Sequence, residues 1–401
     1  MTILTINAGS SSIRLALFAT KETCLVGDGV EMLTAKKYKL EQACLVEVDS
    51  SAVLEEFIQG TEKVSVIAHR IVHGGTKFVN SCFIDTAVEK EIARFSPLAP
   101  LHNPFALKWI QKCRAIFGES IPQVAVFDTA FYSTMPEVAT IYALPQTLCS
   151  QYNIQRYGFH GIAHSAMWRR WQAIHLRDKS LRGKPSELQD GGKIISLQLG
   201  AGCSVTAVQH GKAIDTSMGF SPLEGLMMAT RSGDIDPGLI LYLQRSCGLS
   251  IEQVEELLNH SSGLLGVSGI TGSPGSSDMR ILLESNLPQA KLAVKLFCYR
   301  AKKYIGAYLS VLQGADGIVF GGGIGENAPE VRRLILEDME WLGIILDNQA
   351  NCGIIGKEGC FSSSTSKIEV WVIPVDEASA MAEEAIRVVS NPSVTGVKTT
   401  P

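Results

Sequence analysis

The segment Ala68-His69-Arg70-Ile71-Val72-His73-Gly74-Gly75 closes an apolar run with cationic and imidazole side chains, then glycines. A guanidinium there can grip a carboxylate or a phosphate through two parallel hydrogen bonds; a solvated arginine at a strand end is the plainer alternative. Asp128, in Val126-Phe127-Asp128-Thr129-Ala130-Phe131, follows a run apolar enough to be buried. A carboxylate in that position needs a metal, an arginine or the amides of a helix N-terminus. Tyr157-Gly158-Phe159-His160-Gly161-Ile162-Ala163-His164 sets two histidines four apart, without the glutamate of a zinc protease motif. His160 reads as a phosphate-facing donor and His164 as structural. Arg231, among the small and charged residues of Glu224 to Pro237, is a second clamp. Such a set suits phosphoryl transfer, which asks a protein mainly for positioning and for positive charge around the equatorial oxygens.

Phosphate also needs backbone amides. Ala8-Gly9-Ser10-Ser11 and Ala201-Gly202-Cys203-Ser204 each lie between apolar strand candidates and form a weak internal repeat of hairpins with small-residue turns. Gly321-Gly322-Gly323-Ile324-Gly325-Glu326-Asn327-Ala328-Pro329 follows a strand candidate and precedes a helix. By context it is a nucleotide loop, though neither a Walker A loop nor a dinucleotide fingerprint. Pro374-Val375-Asp376-Glu377 places two acids where a helix starts, to cap it or to hold magnesium.

These residues need a scaffold of alternating strands and helices, an α/β fold. Strands are expected at Ile3 to Ile6, Ile13 to Phe18, Val64 to Ala68, Val124 to Phe127, Ile194 to Leu199, Val205 to Val208, Gly317 to Phe320 and Ile368 to Ile373. Helices are expected at Pro104 to Phe117, Pro237 to Arg245, Ile251 to Leu258 and Gln289 to Leu312. At 401 residues the chain has material for two or three domains, and 46% hydrophobic with 19% charged residues is a globular balance. A net charge of -4 speaks against nucleic acid or an anionic membrane as partner. The ten cysteines include no CxxC pair, so neither zinc nor a disulfide framework is suggested. No signal peptide or membrane-length apolar run is evident, which makes the cytoplasm the expected compartment. Arg177 to Gly192 reads as a surface loop and Ser390 to Pro401 as a disordered tail.

Asn7 to Ser12, His69 to Gly75, Ala99 to Pro104, Phe127 to Phe131, Tyr157 to Gly161, Asp215 to Pro237 and Gly323 to Asn327 together resemble the acetate kinase family, over about residues 1 to 388. The resemblance implies the duplicated actin-like ATPase fold of acetate and sugar kinases, Hsc70 and actin. That fold would have an N-terminal lobe over 1-150 completed by a helix near 378-390, a nucleotide-binding lobe over 151-377, a catalytic cleft between them, and a homodimer. It implies reversible transfer of the ATP γ-phosphoryl group to acetate, giving acetyl phosphate and ADP, with magnesium (manganese as a substitute) held at Asn7 and Glu377. By the same resemblance Arg70 contacts the carboxylate, and Val72, Leu101, Phe159 and Pro222 enclose its methyl group. His160 and Arg231 stabilise the transition state and Asp128 is the proton donor or acceptor. Arg14, Gln198, Leu199, Gly200, Ala201, Gly202, Asp278, Met279, Arg280, Gly323, Ile324, Gly325, Glu326 and Asn327 contact ATP.

Several positions depart from the family pattern. Arg14 stands for the usual lysine, Gln198-Leu199-Gly200-Ala201-Gly202-Cys203-Ser204 for HLGNGSS, Tyr132 for histidine, and Val375-Asp376-Glu377-Ala378 for TNEE. Ala201 deletes an amide side chain within reach of nucleotide phosphate. A short carboxylic acid, with a pKa of about 4, is already ionised at neutral pH. Asp128 is therefore expected to orient magnesium or an arginine. Alternatives are a kinase of propionate or another short carboxylate, a pyrophosphate-dependent enzyme, and a non-catalytic nucleotide-binding paralogue; the last has no use for so many converging charges.

Overall fold

A computed structural model of the chain describes residues 1–8, 12–20, 30–39, 50–60, 63–100, 102–177, 191–270 and 275–391. Its twelve strands among these residues form two six-stranded sheets. The first contains β1 (Thr2–Ala8), β2 (Ser12–Thr20), β3 (Val30–Lys39), β4 (Val66–Ile71), β5 (Cys82–Phe83) and β6 (Gln123–Phe127), in the order β3-β2-β1-β4-β6-β5. The second contains β7 (Lys193–Leu199), β8 (Cys203–Gln209), β9 (Lys212–Thr216), β10 (Gly317–Gly321), β11 (Gly359–Cys360) and β12 (Glu369–Val372), in the order β11-β12-β10-β7-β8-β9. Counted from the start of its own half, each sheet runs 3-2-1-4-6-5. The repeat glimpsed in the two small-residue turns is thus a repeat of topology.

In both halves an antiparallel hairpin is followed by parallel crossovers. β1 pairs with β2 from Thr2↔Ala19 to Ala8↔Ile13 and lies parallel to β4, which lies parallel to β6. β7 pairs with β8 from Lys193↔Gln209 to Leu199↔Cys203 and lies parallel to β10, which lies parallel to β12. Every residue of β1, β6 and β10 is buried, as expected where helices cover both faces of a parallel pairing.

The helices bury spaced apolar residues. Asn103–Phe117, with Pro104 in its first turn, buries Ala106, Trp109, Ile110 and Cys113. Pro288–Leu312 buries Ala290, Ala293, Val294, Phe297, Cys298, Ala301 and Ile305 at intervals of three and four. Glu377–Ser390 returns to the first half, packs against β1, β4 and β6, and takes the Ser81 hydroxyl on Glu384. Ser390, read from sequence as the start of the tail, is the last helical residue, and 392–401 lie outside the described residues. So does most of the expected surface loop: Arg177 closes the helix Gly161–Arg177 and 178–190 are not described.

The chain forms two compact units, one comprising 1–133, 161–163 and 376–401, the other 134–160 and 164–375. Among the described residues all eight cysteines are free and no helix is long and apolar enough to cross a membrane.

Candidate active site

In the first unit β4 delivers Arg70 from the centre of the sheet, and the cluster around it is built from strand ends. The Asp128 carboxylate, just beyond β6, takes Arg70 Nε at 3.1 and 3.2 Å and Nη2 at 2.5 Å. Arg70 Nη1 donates to Asn7 Oδ1 at 3.1 Å and lies 3.8 Å from Glu377 Oε2, and Asn7 Nδ2 donates to that same Glu377 oxygen at 2.8 Å. Burial opposes the charge of Arg70, but Asp128 and Glu377 outweigh it and raise its pKa above the ordinary arginine value. The adjoining acids divide the labour that sequence left open: Asp376 caps the last helix, accepting from Ala378 N and Ser379 N, and Glu377 turns into the cluster.

The resemblance implies magnesium, and the donor set fits it. Two carboxylates with side chains only 1% and 14% exposed share one guanidinium, leaving a formal excess of one negative charge among hard oxygen donors. Magnesium commonly takes one or two protein carboxylates and completes its shell with water and phosphate. Among the described residues no group of three acidic, histidine or cysteine side chains offers a more complete cage.

In the second unit the turn between β7 and β8 is the centre. Gly200 N donates to Gly202 O at 3.0 Å, and Ala201 O accepts from Ala229 N at 3.0 Å, tying the turn to the loop that carries Arg231. Arg231 Nη1 donates to Pro222 O at 2.8 Å. A Cβ on Gly202 would lie 3.2 Å from His160 Cε1 and Nε2 and 3.8 Å from Arg231 Nη1. Only a hydrogen therefore separates this backbone from the imidazole. His160 has φ 62°, a left-handed conformation costly for a side chain of its size. Its Nδ1 meets Ser204 Oγ at 2.9 Å.

Behind the loop, Arg156 clamps the carbonyls of Thr216 and Met218 at 3.1 and 3.2 Å and pairs with Glu224 at 2.5 Å. Tyr142 donates its hydroxyl to Glu224 and accepts from Phe220 N. Burial, reinforced by Glu224, pushes the Tyr142 pKa up, keeping it a donor. Sequence reading missed this brace, because nothing in the spacing of Tyr142, Arg156 and Glu224 joins them.

The glycine run after β10 forms the helix Gly322–Asn327. Gly322 has φ 77° and a Cβ there would meet Leu199 O at 2.6 Å, so the turn requires glycine. Glu326 spends one carboxylate oxygen inside the protein, on Gly322 N at 2.8 Å and Val375 N at 3.1 Å, and Asn327 Nδ2 donates to Gly323 O. Asp278 caps the helix Met279–Glu284 and binds the exposed Arg280, whose guanidinium holds the carboxyl down at about 2. Met279 and Leu199 point into the core, Arg14 and Ala201 are exposed, and the Gln198 side-chain oxygen is buried without a partner among the described residues. Of the residues expected around the methyl group, Val72 is buried in the first unit, Phe159 is buried and Pro222 half-buried in the second, and Leu101 lies outside the described residues.

A duplicated α/β sheet carrying a buried arginine–carboxylate cluster in one half and a glycine loop beside an arginine and a histidine in the other defines a class, that of phosphotransferases. The model of the acetokinase family matches residues 2–383. The acetate kinase of Chloroherpeton thalassium is 40% identical over 97% of this chain and 99% of its own. Among solved structures, the acetate kinase of Porphyromonas gingivalis superposes with TM-score 0.82 at 35% identity, covering 97% of this chain and 99% of that one. A propionate kinase from Francisella tularensis gives TM-score 0.82 at 35% identity, with 96% and 99% covered. The chain belongs to the acetokinase family.

Proposed function

We propose that this protein transfers the γ-phosphoryl group of ATP to acetate, forming acetyl phosphate and ADP, and runs the same reaction in reverse. What carries the reading is the family match across residues 2–383, to which geometry adds the buried Arg70 cluster. The acceptor is already an anion, with a pKa of about 4, so the protein's task is to hold two anions together. Arg70 is the carboxylate contact, kept in one orientation by Asp128. His160 and Arg231 place hydrogen-bond donors at the equatorial oxygens of the moving phosphoryl group, where charge stabilisation contributes most. Glu377 and Asn7 hold magnesium, which when bound offsets the charge of the nucleotide phosphates. The turn at Gly200 to Gly202, the helix Gly322–Asn327 and Asp278 to Arg280 receive ATP. With no base needed, Asp128 acts by orientation.

Propionate is the second reading, favoured by the equal likeness to a propionate kinase. One methylene in an apolar pocket discriminates by only about 1 to 3 kcal/mol. The test is trapping of acyl phosphate by hydroxylamine with magnesium ATP and acetate, propionate or butyrate in parallel. Acetyl hydroxamate formed with the highest kcat/KM supports acetate; a propionate maximum supports the second reading; no product with any acid from folded, ATP-binding protein overturns both.

We further infer a homodimer acting in the cytoplasm. The helix Pro237–Arg245 buries none of its own residues within the chain and exposes Leu239, Leu241 and Tyr242, an apolar face of the kind subunit contacts cover. Sedimentation at the mass of two chains is the expected result.

A further inference from the structure

The helix Gly161–Arg177 lies over a sheet face that should be apolar and is not. Ser196 on β7 and Ser204 and Thr206 on β8 are each fully buried, as is His164. Buried polar groups persist only where they are hydrogen-bonded, and here they form one line. Ser196 Oγ reaches Thr206 O at 3.4 Å and His164 Nδ1 at 2.7 Å; His164 Nε2 reaches Ser204 Oγ at 2.8 Å; Ser204 Oγ reaches His160 Nδ1 at 2.9 Å.

The line has a direction. Ser196 Oγ lies 2.7 Å from His164 Nδ1 but 3.4 Å from Thr206 O, so its hydroxyl donates to the nitrogen. A neutral His164 then carries its proton on Nε2 and donates it to Ser204 Oγ, and the Ser204 hydroxyl in turn donates to His160 Nδ1. Burial, helped by the neighbouring His160, pushes the His164 pKa well below 6.5 and keeps that ring neutral. A neutral His160 then carries its proton on Nε2, a donor on the Gly202 and Arg231 side.

We propose that Ser204 and His164 are positioning residues that hold His160 at Nδ1, fixing both its ring orientation and its tautomer so that Nε2 alone is presented to the phosphoryl group. This rests on the reading of His160 as a phosphoryl-facing group, so that reading is tested alongside. The strained backbone of His160 has a purpose on this view: the left-handed residue turns the ring toward Ser204, and the relay keeps it there.

The experiment is 15N NMR of the histidine rings in the full-length protein, His160 being assigned by its disappearance in His160→Gln. Neutral His160 protonated at Nε2 is the expected result; protonation at Nδ1 overturns the proposal. In Ser204→Ala the signature of a hydrogen-bonded, unprotonated Nδ1 should be lost and kcat should fall about tenfold, the worth of one supporting hydrogen bond, with both KM values unchanged. Ser204→Thr, which retains the hydroxyl, should recover the signature and part of kcat. Unchanged kcat in Ser204→Ala beside a crippled His160→Gln would overturn positioning. Full kcat in His160→Gln would instead remove the phosphoryl-facing role, with which the functional part of the proposal also falls.

Discussion

In the proposed reaction Arg70 meets the acceptor, and Asp128 decides how it points. Three of its contacts go to that one carboxylate, whose side chain is 1% exposed. Asp128→Asn keeps the shape and removes the charge, sacrificing charge-assisted hydrogen bonds of about 1.5 to 3 kcal/mol. The expected outcome is a fall of about 100-fold in kcat/KM for acetate, with a pH profile parallel to the wild type because no proton is moved. Steady-state kinetics between pH 6 and 9 check it: a profile that loses a limb assigns Asp128 a proton, and an unchanged rate removes its role. At the proposed donor end, Ala201 is exposed on the turn between β7 and β8. Ala201→Asn should lower the KM for ATP severalfold, one hydrogen bond being worth about 1 kcal/mol, and leave the KM for acetate alone. An ATP KM that rises or stays put would mean the turn does not meet phosphate.

Among the elements, the glycine-run helix is held from behind by a group that the sequence disguises. Arg332 is fully buried, yet its guanidinium meets no carboxylate: it donates to Gly325 O, Glu326 O, Ile354 O and both oxygens of Asn351, with the Phe361 ring 5.2 Å away. Burial draws its pKa down to about 10, which still leaves it charged at neutral pH. Arg332→Met strands these carbonyls, each costing about 1 to 3 kcal/mol when buried and unpaired. It should lower the melting temperature and, below it, raise the KM for ATP about tenfold while sparing that for acetate; equal rises in both would mean general loosening. In Val331-Arg332-Arg333 nothing distinguishes the buried arginine from Arg333, which pairs with Glu330 and Glu337 at the surface. Much else was legible. Strands flanked by small residues and helices opening with proline were placed to within a few residues, because covering both faces of a parallel sheet writes unbroken apolar runs. β5 and β11, two residues each, carry no period, and β3 exposes residues 31–36, so neither pattern reached them. The candidate site was legible as residue types, Arg70, Asp128, Arg231 and Glu377, but not as partners, since Asn7 and Glu377 lie 370 positions apart.

For the whole molecule, duplication gives each half its own core and its own buried histidines, and these set a common response to acid. His69 and His73 in the first unit are drawn down to about 4 by burial, His69 against a hydrogen bond that it donates to Gln123 Oε1, which raises it, and with Arg114 lowering it further; His164 in the second lies well below its ordinary value. Each is neutral in the fold and would titrate near 6.5 in the unfolded chain. Above that pH neither state carries the proton and these residues leave stability unchanged. Below it the unfolded chain takes up protons that the fold refuses, so stability falls by as much as about 1.4 kcal/mol per pH unit for each histidine. For His69 and His73 the loss levels off near pH 4, where the folded rings also protonate. Urea midpoints should accordingly hold steady from pH 8 to 7 and drop steeply from 6 to 5. In His69→Gln the slope should be shallower by about one proton, whatever the variant does to stability at pH 8. A slope unchanged by that substitution would show that His69 does not contribute to the acid response.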